Sequence, residues 1–166
     1  MNVLQKCFSP VNDSSRANVP IPTMILDTNT VLDVFVFWKD PLLEPLRKAV
    51  REREVDVITV AECATELAHV LKLDKVPATV ETRERAAADF AQYVRVVEMP
   101  AKAGPVPKCA DRDDQVFIDL AVGVRATWLL SRDKKVLKLR KRFAKLELPT
   151  QIMHPLDWCA SVREAV

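Results

Sequence analysis

The stretch Met24-Ile25-Leu26-Asp27-Thr28-Asn29 decides how the rest of the chain is read. Three apolar residues in a row make a short buried-strand candidate. Asp27, Thr28 and Asn29 are residue types that cap helix N-termini, because their side-chain oxygens accept from amides that have no partner inside the helix. Val31, Leu32, Phe35 and Val36 then recur at helical spacing. The chain is expected to run from a strand straight into a capped helix.

The same alternation continues to the end. Pro41 to Arg53 is expected to form a second helix, its prolines near the start where a missing amide hydrogen is tolerated, with Leu42, Leu46, Ala49 and Val50 inward. Val55 to Val60 reads as a β-branched strand, and Ala61 to Leu73 as a helix burying Ala64, Leu67, Ala68 and Leu71. Thr82 to Tyr93 reads as a charged amphipathic helix and Val94 to Val97 as a third strand, followed by a loop marked by Pro100, Gly104, Pro105 and Pro107. Asp111 or Asp113 can cap a helix whose inner face is Val116, Phe117, Leu120, Ala121 and Val124. A fourth strand is expected at Thr127 to Leu130, a helix at Lys134 to Lys145 with Val136, Leu139 and Phe143 inward, and a short last strand at Thr150 to Met153.

Strands alternating with helices of this length imply crossover connections and a mainly parallel twisted sheet covered on both faces. The expected fold class is α/β, in three α/β/α layers. The expected organisation is a flexible N-terminal tail over 1–22, polar and rich in serine and proline, and one domain over 23–166. There is no internal repeat, no signal-like leader and no membrane-spanning segment in this reading.

Composition narrows the chemistry. The 166 residues are 49% hydrophobic, ample for one core, and 29% charged with a formal net charge of +2. The two glycines lie nineteen residues apart, which excludes the glycine-rich loops that cradle phosphates or dinucleotides. The four cysteines are separated by 56, 46 and 50 residues, and the two histidines by 85, so no zinc knuckle, redox dithiol or two-histidine helical site is encoded. Isolated cysteines fit a reducing cytoplasm. Any catalysis must rest mainly on carboxylates, hydroxyls and bases.

In an open parallel sheet, ligands collect outside the carboxyl ends of the strands. The polar residues expected there are largely acids: Asp27 after the first strand, Glu62 and Glu66 on the helix after the second, Ser131 and Asp133 after the fourth, and Asp111, Asp113 and Asp114 opening the preceding helix. Converging acids repel one another unless cations or protons neutralise them. Magnesium or manganese prefers such oxygen donors, so a carboxylate cluster around one of these ions is the expected site. Each acid also has a purely structural use. Asp27, Asp111, Asp113 and Asp133 can cap helices, and Glu62 and Glu66 can be solvated.

These residues carry a resemblance. Met24 to Asn29, Glu66-Leu67 with Val70-Leu71, Asp114 with Phe117 and Ala121, and Leu129-Leu130-Ser131-Arg132-Asp133 together resemble the ordered acidic signature of PIN-domain ribonucleases, over about Thr23 to Pro155. The branch most similar is that of the toxin components of bacterial toxin-antitoxin pairs. The resemblance implies hydrolysis of RNA phosphodiesters dependent on magnesium or manganese. Asp27, Glu66, Asp114 and Asp133 would form the catalytic quartet, with Asp27, Asp114 and Asp133 holding metal. Asn29 would brace the first Asp, and Ser131 would stand as the small hydroxyl residue near the metal. Asp114 is preferred over its neighbours Asp111 and Asp113 because it lies seven residues before Ala121, as the family pattern requires. The resemblance also implies an antitoxin partner and a homodimer, in the cytoplasm and not on a membrane.

A basic run supports a nucleic-acid substrate. Arg132, Lys134, Lys135, Lys138, Arg140, Lys141, Arg142 and Lys145 fall within fourteen residues that hold one acid, and such a face suits an RNA backbone. Taken alone it would be a solvated helix face. Phe37, Trp38 and Trp128 can stack bases or pack in a core or interface, and His154 and Trp158 read as structural. Two other readings of the chain remain: a non-catalytic RNA- or protein-binding module of the same fold, and a haloacid-dehalogenase-like phosphatase. The latter needs a second Asp where Asn29 stands, and lacks a clear motif lysine.

Overall fold

The computed structural model describes residues 20–73 and 76–164. Most of the expected tail, residues 1–19, lies outside the described residues. In chain order the elements are β1 (Thr23–Leu26), α1 (Thr28–Leu32), a π-helical turn (Asp33–Phe37), a 3-10 turn (Pro41–Leu43), α2 (Glu44–Arg51), β2 (Asp56–Val60), α3 (Ala61–Lys72), α4 (Val80–Tyr93) and β3 (Val94–Val97). After a long loop come α5 (Gln115–Val124), β4 (Trp128–Leu130), α6 (Lys134–Leu137), α7 (Arg140–Lys145), β5 (Gln151–Met153) and α8 (Pro155–Glu164). No helix among the described residues is long and apolar enough to cross a membrane.

The five strands form one all-parallel sheet in the order β3-β2-β1-β4-β5. β1 lies at its centre and is covered on both sides, which is why it reads as an unbroken apolar run. Met24 and Leu26 point to one face, with Trp128 and Leu130, under α1 to α4 and α8. Ile25 points to the other, with Ile58, Leu129 and Ile152, under α5, α6 and α7. The three-layer α/β/α fold follows from this two-sided burial.

The chain winds outward from β1 through β2 to β3, then crosses back to build β4 and β5 on the other side. The strand order therefore reverses between β1 and β4, and a crevice opens at the carboxyl ends there. Leu26 is in register with Leu130. The next residues, Asp27 and Ser131, emerge side by side at that crevice.

Three expected elements are redrawn, and one is added. The helix after Asp27 keeps only its first turns before widening into the π-helical turn, which closes on Trp38 in the left-handed region at φ 43°. The indole is exposed, with the Arg85 guanidinium 4.4 Å from its ring centre. The helix expected from Pro41 begins as a 3-10 turn, because Asp40 caps it through the Leu42 amide. The Lys134 to Lys145 helix divides in two where the Leu139 amide bonds the Val136 carbonyl and tightens the turn. The terminal helix α8 is not among the elements that the sequence pattern predicts. It starts at Pro155, a residue suited to a first helical position, and buries Trp158, Cys159 and Val162. Trp128 is fully buried, edge-on to Trp158 at 5.7 Å, so it is a core residue and cannot stack a base.

Leu129 has no exposed surface and centres the second core. Leu129→Ala is expected to cost about 2–5 kcal/mol of stability, read from urea denaturation. A loss under about 1 kcal/mol would contradict this packing.

Candidate functional site

The site is built on the ends of β1 and β4. Asp27 is 3% exposed. Its Oδ1 accepts from the Thr30 amide at 2.7 Å, closing the first turn of α1, and its Oδ2 accepts from the Ser131 hydroxyl at 2.5 Å. The Asp27 amide bonds the Leu130 carbonyl, and the Ser131 amide bonds that of Met153, so the crevice is stitched across three strands. The Ser131 hydroxyl also accepts from the Asp133 amide at 3.0 Å. Asp133 in turn caps α6 by accepting the Lys135 amide at 2.6 Å. One hydroxyl thus binds the carboxylate of Asp27 and the backbone of Asp133.

Asp114 sits at the start of α5, half-buried, with no side-chain cap bond. Its carboxyl is pushed up to about 6, first by desolvation and then by the negative charges of Asp133, Asp27, Asp111 and Asp113. Asp114, Asp27 and Asp133 therefore share one electrostatic neighbourhood. Asp111 is held below the usual carboxylate range by the Lys135 ammonium, 2.9 Å away, and by the Asp113 amide. Cys109 faces the same acids, and burial together with Asp114, Asp111 and Asp133 raises its thiol despite a backbone hydrogen bond at Asp111.

Glu66 and Asn29 are placed differently from these. Glu66 is exposed on α3, where with Glu62 it adds to the burial that raises the Cys63 thiol. Cys63 borders a small cleft with Leu26 and Thr28, so this turn of α3 runs beside the crevice. Asn29 is exposed in the first turn of α1, and the bonds that brace Asp27 come from Thr30 and Ser131.

The basic run divides into paired and unpaired members. Arg132 holds Asp33 at 3.1 Å and Lys135 holds Asp111, while Lys134, Lys138, Arg140, Lys141 and Arg142 are exposed. Asp33 is not among the site residues that the sequence points to, because it sits among Val31, Leu32, Val34 and Phe35, where the apolar stripe dominates the pattern. Burial raises its pKa, Arg132 opposes that, and Asp27 adds to it. The available signal was an acid interrupting that apolar run.

The donor set suits a hard divalent cation. It consists of carboxylate and hydroxyl oxygens, and the mutual repulsion felt at Asp114 is what such an ion would relieve. Among the described residues, no group of three or more His, Cys, Asp or Glu side chains closes around a single point. Magnesium commonly takes only one or two carboxylates, completing its shell with water and substrate phosphate. The residues fit that mode.

Against families of known proteins, a model described as PIN domain matches residues 23–135. No curated protein and no solved structure matches the chain.

The raised pKa of Asp114 sets a pH dependence in metal-free protein. The folded state binds this proton more tightly than the unfolded chain, so the stability that this group contributes is full below about 4 and is lost as pH rises through about 6. Asp114→Asn is therefore expected to stabilise the protein above pH 6, on the order of 1 kcal/mol after solvent screening, with the gain closing towards pH 4. Melting temperatures in EDTA across that range check it. Equal melting of both proteins at neutral pH would refute it.

Proposed function

The chain belongs to the PIN-domain family, a family of nuclease-type domains, and from that premise we propose that it is an endoribonuclease dependent on magnesium or manganese, the toxin of a toxin-antitoxin pair. The observation that supports this most is the gathering of acids at the crevice, expressed in the raised carboxyl of Asp114. Asp27, Asp114 and Asp133 would hold the ion, and Glu66 would help orient the attacking water. A divalent cation bound there supplies charge for the scissile phosphate and lowers the pKa of water.

The protein's own groups do the positioning. Ser131 donates to the Asp27 carboxylate and accepts from the Asp133 backbone amide, while the Lys135 amide holds the Asp133 carboxylate. The Thr30 amide holds the other oxygen of Asp27. With these bonds in place, little reorganisation is left when substrate arrives. Exposed Lys134, Lys138, Arg140, Lys141 and Arg142 would neutralise flanking RNA phosphates, which makes binding weaken as salt rises. Arg132 and Lys135 would join them from their ion pairs. The partners in this reading are RNA, an antitoxin protein and a second copy of the chain, in the cytoplasm.

A second reading, a non-catalytic RNA- or protein-binding module, draws on the capping bonds of Asp27 and Asp133, which give both acids a structural use without metal. Transfer and ribosomal RNA incubated with wild type and Asp27→Asn, with manganese or with EDTA, separates the two. Cleavage is expected only for wild type with manganese, and Asp27→Asn should lower it at least on the order of 100-fold while still melting cooperatively. Full activity of Asp27→Asn would sink the nuclease reading. Magnesium-indifferent binding with no cleavage would favour the second.

A further inference from the structure

Beside the acidic crevice lies a cavity of about 540 Å³. Asp33, Phe37, Lys39, Arg47, Arg132 and His154 contribute to its lining. It adjoins the crevice through covalent and ionic links. Arg132 directly follows Ser131, whose hydroxyl holds Asp27, and the Arg132 guanidinium holds Asp33 at 3.1 Å.

The lining is rich in donors. Arg47 is 4% exposed, and its guanidinium is answered mainly by neutral carbonyls, those of Asp40 at 2.9 Å and Asp33 at 3.1 Å. Its carboxylate contact with Glu44 is 3.8 Å long. The guanidinium also acts electrostatically on the Asp33 carboxylate, and its Nε remains a donor without a partner. His154 accepts the Leu156 amide at Nδ1, 3.2 Å away, so the proton of the neutral ring resides on Nε2. The same segment begins α8, whose N-terminal end adds partial positive charge. Of the two carboxylates in the lining, Asp33 is paired with Arg132, which would reach a phosphate out of that ion pair, and Asp40 accepts the Leu42 amide.

The cavity also has an aromatic wall. Phe37 closes the π-helical turn, and the Lys39 ammonium lies 5.6 Å from its ring centre. Cations and donors answer a phosphate, an aromatic face answers a base, and the volume is that of a small-molecule site. A base can reach such a face only when it is unstacked, so the matching ligand is single-stranded.

We propose that this cavity is the nucleotide subsite next to the scissile phosphate, receiving one base of single-stranded RNA against Phe37 and its phosphate among Arg47, Arg132 and His154. The proposal rests on the ribonuclease reading and names where the substrate strand runs from the acids. Phe37→Leu and His154→Ala test it, with thermal melts to show that each variant folds. Binding of a fluorescein-labelled single-stranded oligoribonucleotide is followed by anisotropy in EDTA, so that it is independent of cleavage. Each variant is expected to weaken binding roughly tenfold, while a duplex of the same sequence is bound less well and without dependence on Phe37. No measurable binding by wild type, or binding by both folded variants within about twofold of it, overturns the proposal. Binding that depends on Phe37 and His154 in a protein that cleaves nothing with manganese would uphold the subsite and refute the nuclease activity.

Discussion

The hydrogen bond from the Ser131 hydroxyl to Asp27 is the constraint on which the rest of this site depends. It forms because β1 and β4 are parallel neighbours in a register that pairs Leu26 with Leu130 and brings the following residues out together. A slip of β1 by one residue would turn Ile25 into the wrong core and carry Asp27 away from Ser131. The apolar alternation of the two strands and the placement of the acid are thus one fact. From Ser131 the connection passes to Asp133 through its amide, and from Arg132 to Asp33.

Holding carboxylates this close has an electrostatic cost, and the molecule meets it unevenly. Asp111 and Asp33 have cationic partners in Lys135 and Arg132. Asp114 does not share that relief, and its carboxyl rises to about 6. The net charge of +2 conceals this separation of an acidic crevice from a basic face. With two glycines nineteen residues apart, the chain has no glycine-rich turn of the kind that cradles phosphate through backbone amides.

Much of this was legible in the sequence because the sheet is buried on both faces. Runs such as Met24 to Leu26 and Trp128 to Leu130 announce their strands, and polar residues just after them announce the crevice. The parts that were not legible depend on contacts between distant segments. The π-helical turn has the same apolar spacing as an α-helix, so Phe37, Trp38 and Asp33 could not be placed from periodicity. Arg47 lies outside the inward face read from Leu42, Leu46, Ala49 and Val50, yet its guanidinium is buried against the carbonyls of Asp33 and Asp40. His154 gained meaning only once α8 began beside it. Trp128 and Trp38 could not be told apart by composition, though one is a core residue and the other is exposed.

The central claim is that the crevice acids are poised to be neutralised by a divalent cation. The direct measurement is the titration of the Asp114 side-chain carboxyl by carbon-13 NMR, in EDTA and again with saturating magnesium. The account predicts a value near 6 without the ion and a marked fall with it. An ordinary carboxylate value in EDTA, or one that magnesium leaves unmoved, would contradict it.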